Sequence, residues 1–123
     1  MLYTAMSRST EKKNINFVNY YPKVSTGYIY KITNNLNNKL YIGSTKTTIE
    51  QRFNEHRQTR DTSPLHQAIQ KDGIEHFTIE VVQTVQFVDE QQLLIYESTQ
   101  MIEHDTLNGH YNTKLACDLV NIF

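Results

Sequence analysis

Cysteine is nearly absent from this chain of 123 residues, where Cys117 stands alone. A lone thiol excludes an internal disulfide and any cysteine-rich zinc site. Tryptophan is missing altogether, although eight Tyr and five Phe supply large side chains for a core. No apolar run approaches the roughly 20 residues of a membrane-spanning helix. The polar stretch Met1–Lys13 lacks the hydrophobic centre of a secretory signal. The expectation is an intracellular protein with no membrane partner. There is no P-loop, no glycine-rich dinucleotide turn, no catalytic cysteine constellation and no zinc-ligand spacing among the five His. No internal repeat is visible.

The length fits one domain with a single modest core. A net charge of −1 gives no overall attraction to nucleic acid, but the charge is unevenly spread. Residues 1–30 carry a balance of +3 and residues 31–71 a balance of +4, whereas residues 72–110 hold eight acids and no Lys or Arg. Ordinary surface variation can look like this. A basic face able to reach phosphates, backed by an acidic rear surface, is the sharper reading.

Residues 1–25 are polar and mixed, and read as a leader that is flexible or peripherally packed. From Gly27 the pattern is strand-like. Gly27–Thr33 and Lys39–Gly43 are aromatic and β-branched runs flanking the turn chemistry of Asn34–Asn38. A hairpin symmetric about Asn35-Leu36 sets Tyr30 opposite Tyr41, and a slip of one residue would part the two phenols. A helix is expected from near Thr47, with Thr47 and Glu50 as a capping box, ending before Asp61. A shorter helix covers roughly residues 65–71, and residues 77–84 alternate as a third strand. Residues 89–104 form a longer helix with Leu94, Met101 and Ile102 on its core side. The apolar tail 114–123 is expected to pack on the domain. This order predicts a small α+β layer fold.

Several side chains here suit work on a phosphodiester. Tyr30 and Tyr41 are most simply packing aromatics, but a phenol at a wet sheet surface can hold or deprotonate water beside a cation. Gly43, lacking a side chain, leaves room for a substrate backbone to come close. Arg52 on a helix is ordinarily a solvated arginine, yet its planar fork can clamp phosphoryl oxygens. His56, one turn later on the same face, could donate a hydrogen bond or shuttle a proton. Glu97 interrupts an apolar stripe, so it either pairs at the edge of the core or points into a site. One carboxylate can anchor a divalent ion that keeps most of its waters. Asn112 could orient a phosphate or a water. Lys39, Lys46, Arg52 and Arg57 offer contacts to a nucleic-acid backbone.

Taken in order, these residues resemble the GIY-YIG endonuclease family over about residues 26–113. Tyr28-Ile29-Tyr30 resembles the first motif, with Tyr in place of the usual Gly, and Tyr41-Ile42-Gly43 matches the second. Gly43-Ser-Thr-Lys46 looks like the loop that follows it. Arg52, His56, Glu97 and Asn112 match the helix arginine, the basic residue a turn on, the metal-binding glutamate and the terminal asparagine.

The resemblance implies a three-stranded mixed sheet flanked by helices. It implies hydrolysis of DNA phosphodiesters to 5′-phosphate and 3′-hydroxyl ends, with Mg2+ (or Mn2+) held by Glu97. A tyrosine serves as general base, with Tyr30 favoured and Tyr41 positioning water, or the two exchanged. Only a leader and a tail flank residues 26–113, so a freestanding nuclease core is expected. Its specificity would come from a homodimer, an accessory protein or a substrate of unusual shape. The rival readings are a catalytically silent nucleic-acid-binding module of the same fold and a protein-interaction domain using the acidic 72–110 face.

Overall fold

The computed structural model describes residues 23–118. The expected leader therefore lies outside the described residues up to position 22, as does the tail beyond position 118. The elements are β1 (Ser25–Asn34), β2 (Leu40–Thr45), α1 (Ile49–Gln58), α2 (Pro64–Asp72), a 3-10 turn at Ile74–His76, β3 (Phe77–Phe87) and α3 (Glu90–Glu103). β1 is central in the order β2-β1-β3 and pairs antiparallel with both neighbours. The fold is α+β as expected, but the sheet is antiparallel rather than mixed. β2 and β3 run the same way, yet β1 lies between them, so no parallel ladder forms.

The hairpin is longer than its symmetric reading. Asn34 still belongs to β1, and its backbone carbonyl accepts from Asn38 N at 2.7 Å. Asn38 takes a left-handed φ of 64°, a conformation that asparagine tolerates. The register therefore pairs Tyr30 with Gly43 and Ile32 with Tyr41. A shift of two residues preserves the face, so the phenols become diagonal neighbours with ring centroids 6.3 Å apart. On the other side of β1 a bulge falls between Ile29 and Tyr30, which locally bends the strand beside these rings.

Alternation along β1 divides the core in two. Ile29 and Ile42 join Val85, Phe87, Leu93 and Met101 on the α3 face, and Leu115 and Ala116 pack against this group. Tyr30 and Ile32 join Leu65, Ile69, Phe77 and Tyr111 beneath α1 and α2.

Helix starts follow cap chemistry. Thr48, not Thr47, caps α1 by accepting from Gln51 N, while the Thr47 hydroxyl meets that of Thr45 at 3.0 Å. Two adjacent threonines leave either able to cap. Asp89 and Gln92 form a reciprocal capping box that fixes the phase of α3. Its buried residues are Leu93, Ser98 and Met101, and Ile102 is exposed. Met101 is buried as expected, but Leu93 takes the place expected for Leu94 and Ile102 faces out, because three successive apolar positions at 93–95 do not phase a helix.

The outer edge of β2 is sealed by the segment after α3. Tyr111 N donates to Leu40 O at 2.9 Å, and Leu40 N donates to His110 Nδ1 at 2.9 Å. Asn112 clamps Ile42, accepting from its N–H at 2.8 Å and donating to its carbonyl at 3.0 Å. A side-chain amide thus does the work of a neighbouring strand.

Candidate active site

The two faces of the sheet can share a site only around an edge, and β2 is that edge. A cleft of about 330 Å³ lies there, lined by Tyr41, Arg52 and His56 from one layer and Glu97 from the other. The chain after Asn112, including Lys114, forms its far wall. A roomier groove of about 510 Å³ on β3 and α3 is lined mainly by neutral amides and hydroxyls and brings together no comparable set.

Glu97 reaches the cleft because Leu93, Glu97 and Met101 follow one another at four-residue spacing on α3. It occupies the middle of that row rather than its margin. Its carboxylate accepts from the Ser44 hydroxyl. Burial raises its pKa, while Ser44 and Arg52 work the other way. A partly desolvated carboxylate with one hydroxyl partner and, among the described residues, no cation in contact fits a divalent ion. Among the described residues no three His, Cys, Asp or Glu cluster as a metal cage. Glu97 is the side chain that could hold a hard ion retaining most of its water.

Arg52 projects from the first turns of α1. Its Nε donates to the Tyr30 hydroxyl at 3.3 Å and its Nη1 to Glu55 Oε1 at 2.9 Å. Burial works against its charge, but Tyr30 and Glu55 more than offset this and raise its pKa. The side chain is 35% exposed, enough for one edge of the fork to face the cleft.

The two tyrosines are not equivalent. Tyr41 is half-buried and lines the cleft. Tyr30 lies behind it with no exposed surface. A Cβ at Gly43 would sit 2.5 Å from the Tyr30 hydroxyl and 2.6 Å from its Cζ. The space at Gly43 is therefore filled by a phenol from the partner strand, not kept open for substrate. Burial, then Tyr41, push the Tyr30 pKa far up despite Arg52. Burial, then Glu97, raise that of Tyr41. Both are neutral phenols near pH 7.

His56 is buried, and its Nε2 meets the Tyr30 hydroxyl at 2.7 Å. Burial, then Arg52 and His66, push its pKa down to about 4. Its Nδ1 meets His66 Nε2 at 3.0 Å. His66, from α2, was not singled out in the sequence, nor was Ser44 or Lys114. A histidine just after Pro64 carries no local sign that it will touch another histidine.

The remaining expected residues divide between the cleft wall and the exposed surface. Asn112 lines it, but both ends of its amide engage Ile42, so it braces β2. Lys46 is exposed and paired with Glu90. Lys39 is exposed just before β2, and Arg57 is exposed in the last turn of α1.

An antiparallel ribbon with phenols, an arginine from the following helix and a carboxylate from a distant one define a small α+β nuclease-type domain. The family model for the GIY-YIG catalytic domain matches residues 26–111, and the chain belongs to that family. Two proteins of Invertebrate iridescent virus 6 align over 85 residues, 67% of this chain. One is the uncharacterized protein 019R, 40% identical with 30% of its length covered. The other is the putative MSV199 domain-containing protein 146R, 34% identical with 35% covered. The chain thus spans about a third of the length of the curated relatives it matches. Among solved structures, a mutant catalytic domain of the intron endonuclease I-TevI superposes with a TM-score of 0.64 at 22% identity. That match covers 75% of this chain and 97% of the other. The catalytic domain of the homing endonuclease I-TevI gives 0.60 at 24% identity, covering 72% and 98%. The fold is theirs.

Proposed function

We propose that this domain is a divalent-metal-dependent endonuclease that hydrolyses phosphodiester bonds in DNA, leaving 5′-phosphate and 3′-hydroxyl ends. The observation that carries the reading is convergence. Tyr41, Arg52, His56 and Glu97, drawn from three elements on two faces of the sheet, line one cleft. The match to the catalytic domain of I-TevI, an intron and homing endonuclease, supports DNA as the substrate.

Hydrolysis forms a bond from water oxygen to phosphorus and breaks the bond from phosphorus to the 3′-oxygen. Arg52 binds the non-bridging oxygens and stabilises the charge that grows on them in the transition state. Glu97 would hold Mg2+ (or Mn2+), which when bound would supply Lewis-acid charge to the reaction. Tyr41, the phenol at the cleft wall, orients the attacking water and is the better placed of the two, but it takes the proton only as the phenolate, a form that a divalent ion held by the neighbouring Glu97 would favour. Burial and Glu97 hold the phenol protonated, and Arg52 opposes them. Tyr30 stands behind, fixing Arg52. Roles for the two phenols are thus exchanged relative to the expectation that Tyr30 is the base. Lys39, Lys46, Arg57 and Lys114 are among the cations available to the flanking backbone, where salt-dependent contacts set affinity.

The test is cleavage of supercoiled, linear and branched DNA with and without Mg2+, comparing the wild type with Glu97→Ala. Loss of cleavage on the order of a thousandfold is expected, with fold and DNA binding retained. Nicking by Glu97→Ala at the wild-type rate would refute the assignment. Salt-sensitive binding by a wild type that cuts nothing in Mg2+ or Mn2+ would mark a silent binding module instead.

A further inference from the structure

The histidines do not end at each other. His66 Nδ1 meets the Asp61 carboxylate and lies 2.6 Å from the Ser63 hydroxyl. Asp61 is anchored in turn, accepting from Ser63 N at 3.1 Å and from the Ser63 hydroxyl at 2.8 Å. Its side chain is 55% exposed. A continuous line of hydrogen bonds therefore runs from the surface through His66, His56 and Tyr30 to the Arg52 guanidinium.

We propose that Asp61 and His66 are positioning residues for Arg52, fixing the direction of every hydrogen bond in this line. The inference rests on reading the cleft as a phosphodiester site with Arg52 as its phosphate clamp.

The argument is one of donors and acceptors. A neutral imidazole has one of each, so two imidazoles in series admit only two directions. Ionised Asp61 can only accept. Ser63, through its hydroxyl and its amide, then burial working the other way, and then His66, leave the Asp61 carboxyl below its usual range. His66 must therefore donate from Nδ1 and accept at Nε2. His56 then donates from Nδ1 and accepts at Nε2, and the Tyr30 hydroxyl donates to His56. The Tyr30 proton is pinned away from Arg52, and a lone pair is left for Arg52 Nε–H. With the direction reversed, His56 and Arg52 would both donate to the Tyr30 oxygen, and the phenol proton would need a new acceptor in a fully buried place. Such a mismatch is costly in a low-dielectric interior.

The groups facing His56 are Arg52 on its own helix, Tyr30 from β1, Tyr41 from β2, and His66 with Asp61 from α2 and its preceding loop. Among the described residues these set its protonation. Arg52 and burial keep it neutral, and neutrality is what the line requires.

The test reads tautomers directly in the full chain. Long-range proton–nitrogen correlation spectra at pH 7 should show both His56 and His66 carrying the proton on Nδ1. They should also show a slowly exchanging Arg52 Nε–H. In Asp61→Ala, His56 should shift toward the Nε2 proton, and the Arg52 resonance should exchange with water. The single-turnover cleavage rate should fall roughly tenfold, the scale at which an outer layer of hydrogen bonds acts on a functional group, with little change in KM. Asp61→Asn, which keeps an acceptor oxygen, should restore the wild-type tautomers and most of the rate. His66→Gln, with a carbonyl able to accept from His56, should hold the His56 tautomer better than His66→Leu. A wild type with His56 protonated on Nε2 overturns the proposal, as does Asp61→Ala with unaltered tautomers and Arg52 exchange. A wild type with the expected tautomers that cleaves no DNA refutes the reading of the cleft and leaves the hydrogen-bond line standing.

Discussion

The two faces of the sheet solve the same burial problem with different materials. Beneath α3 the core is Ile29, Ile42, Val85, Phe87, Leu93 and Met101, with no titratable side chain among them. Beneath α1 and α2, Tyr30 lies within the core, its hydroxyl bonded to His56, which in turn meets His66, both histidines being buried. Apolar contacts are non-directional and tolerate small shifts. A buried polar line holds only while every donor finds its acceptor. The first face supplies cohesion and the second supplies aim, and the site forms where Glu97 crosses from one to the other.

Acid separates the two faces most sharply. His56 has a folded pKa of about 4, depressed by burial and then by Arg52 and His66, against an ordinary 6.5. Between these values the unfolded chain binds the proton and the native chain does not. Stability is therefore full above pH 6.5 and falls as the pH drops toward 4. The loss attributable to this one group is about 3 kcal/mol. Leu93→Ala on the other face should also cost about 3 kcal/mol, but by the same amount at every pH. Denaturant melts of both proteins and of His56→Gln from pH 4 to 7 check the contrast. An acid limb that is equally steep in His56→Gln removes the histidine from the explanation.

A smaller effect sharpens the comparison inside the polar face. Gly43→Ala places a methyl 2.5 Å from the Tyr30 hydroxyl and 2.9 Å from Tyr41 Cε2. Overpacking of this kind costs about 1–3 kcal/mol, and here it must also displace the phenol that holds Arg52. Thermal unfolding together with the cleavage rate should show activity falling by more than stability explains. A variant that loses stability alone would mean that Arg52 does not depend on Tyr30.

The smallest effect concerns the wet end of the arginine. Glu55 occupies Nη1 in the free protein at 2.9 Å, in an exposed ion pair of the kind worth up to about 1 kcal/mol. Glu55→Gln should release the fork and tighten DNA binding by roughly twofold to fivefold at low salt. Titration with a fluorescent duplex measures this, and weaker binding would mean that Glu55 helps to orient the fork.

Much of the architecture was legible because strand alternation, cap residues and apolar spacing act locally. All three strands and all three helices lie close to where the sequence placed them. Register and helix phase were less accessible. The hairpin moved by two residues because Asn34 stays in β1, where its side chain donates to Asp72 and Tyr111 at 2.9 and 3.0 Å. Those partners lie 38 and 77 residues away, and no turn rule reaches that far. The row Leu93, Glu97 and Met101 was obscured by its apolar neighbours Leu94 and Ile95. Arg52 and Glu97 stood out by residue type and position and then through family resemblance, whereas Asp61 and His66 matter only through contacts that the tertiary fold creates.

Gly43 and Tyr30 carry a lesson for anyone transplanting this chemistry. The two signature tripeptides share one packing decision, since the glycine of the second vacates the volume that the last ring of the first fills. They cannot be grafted separately onto another ribbon, nor scored as independent signs of the same ancestry. A transplant must carry both, with the tyrosine set directly across from the glycine.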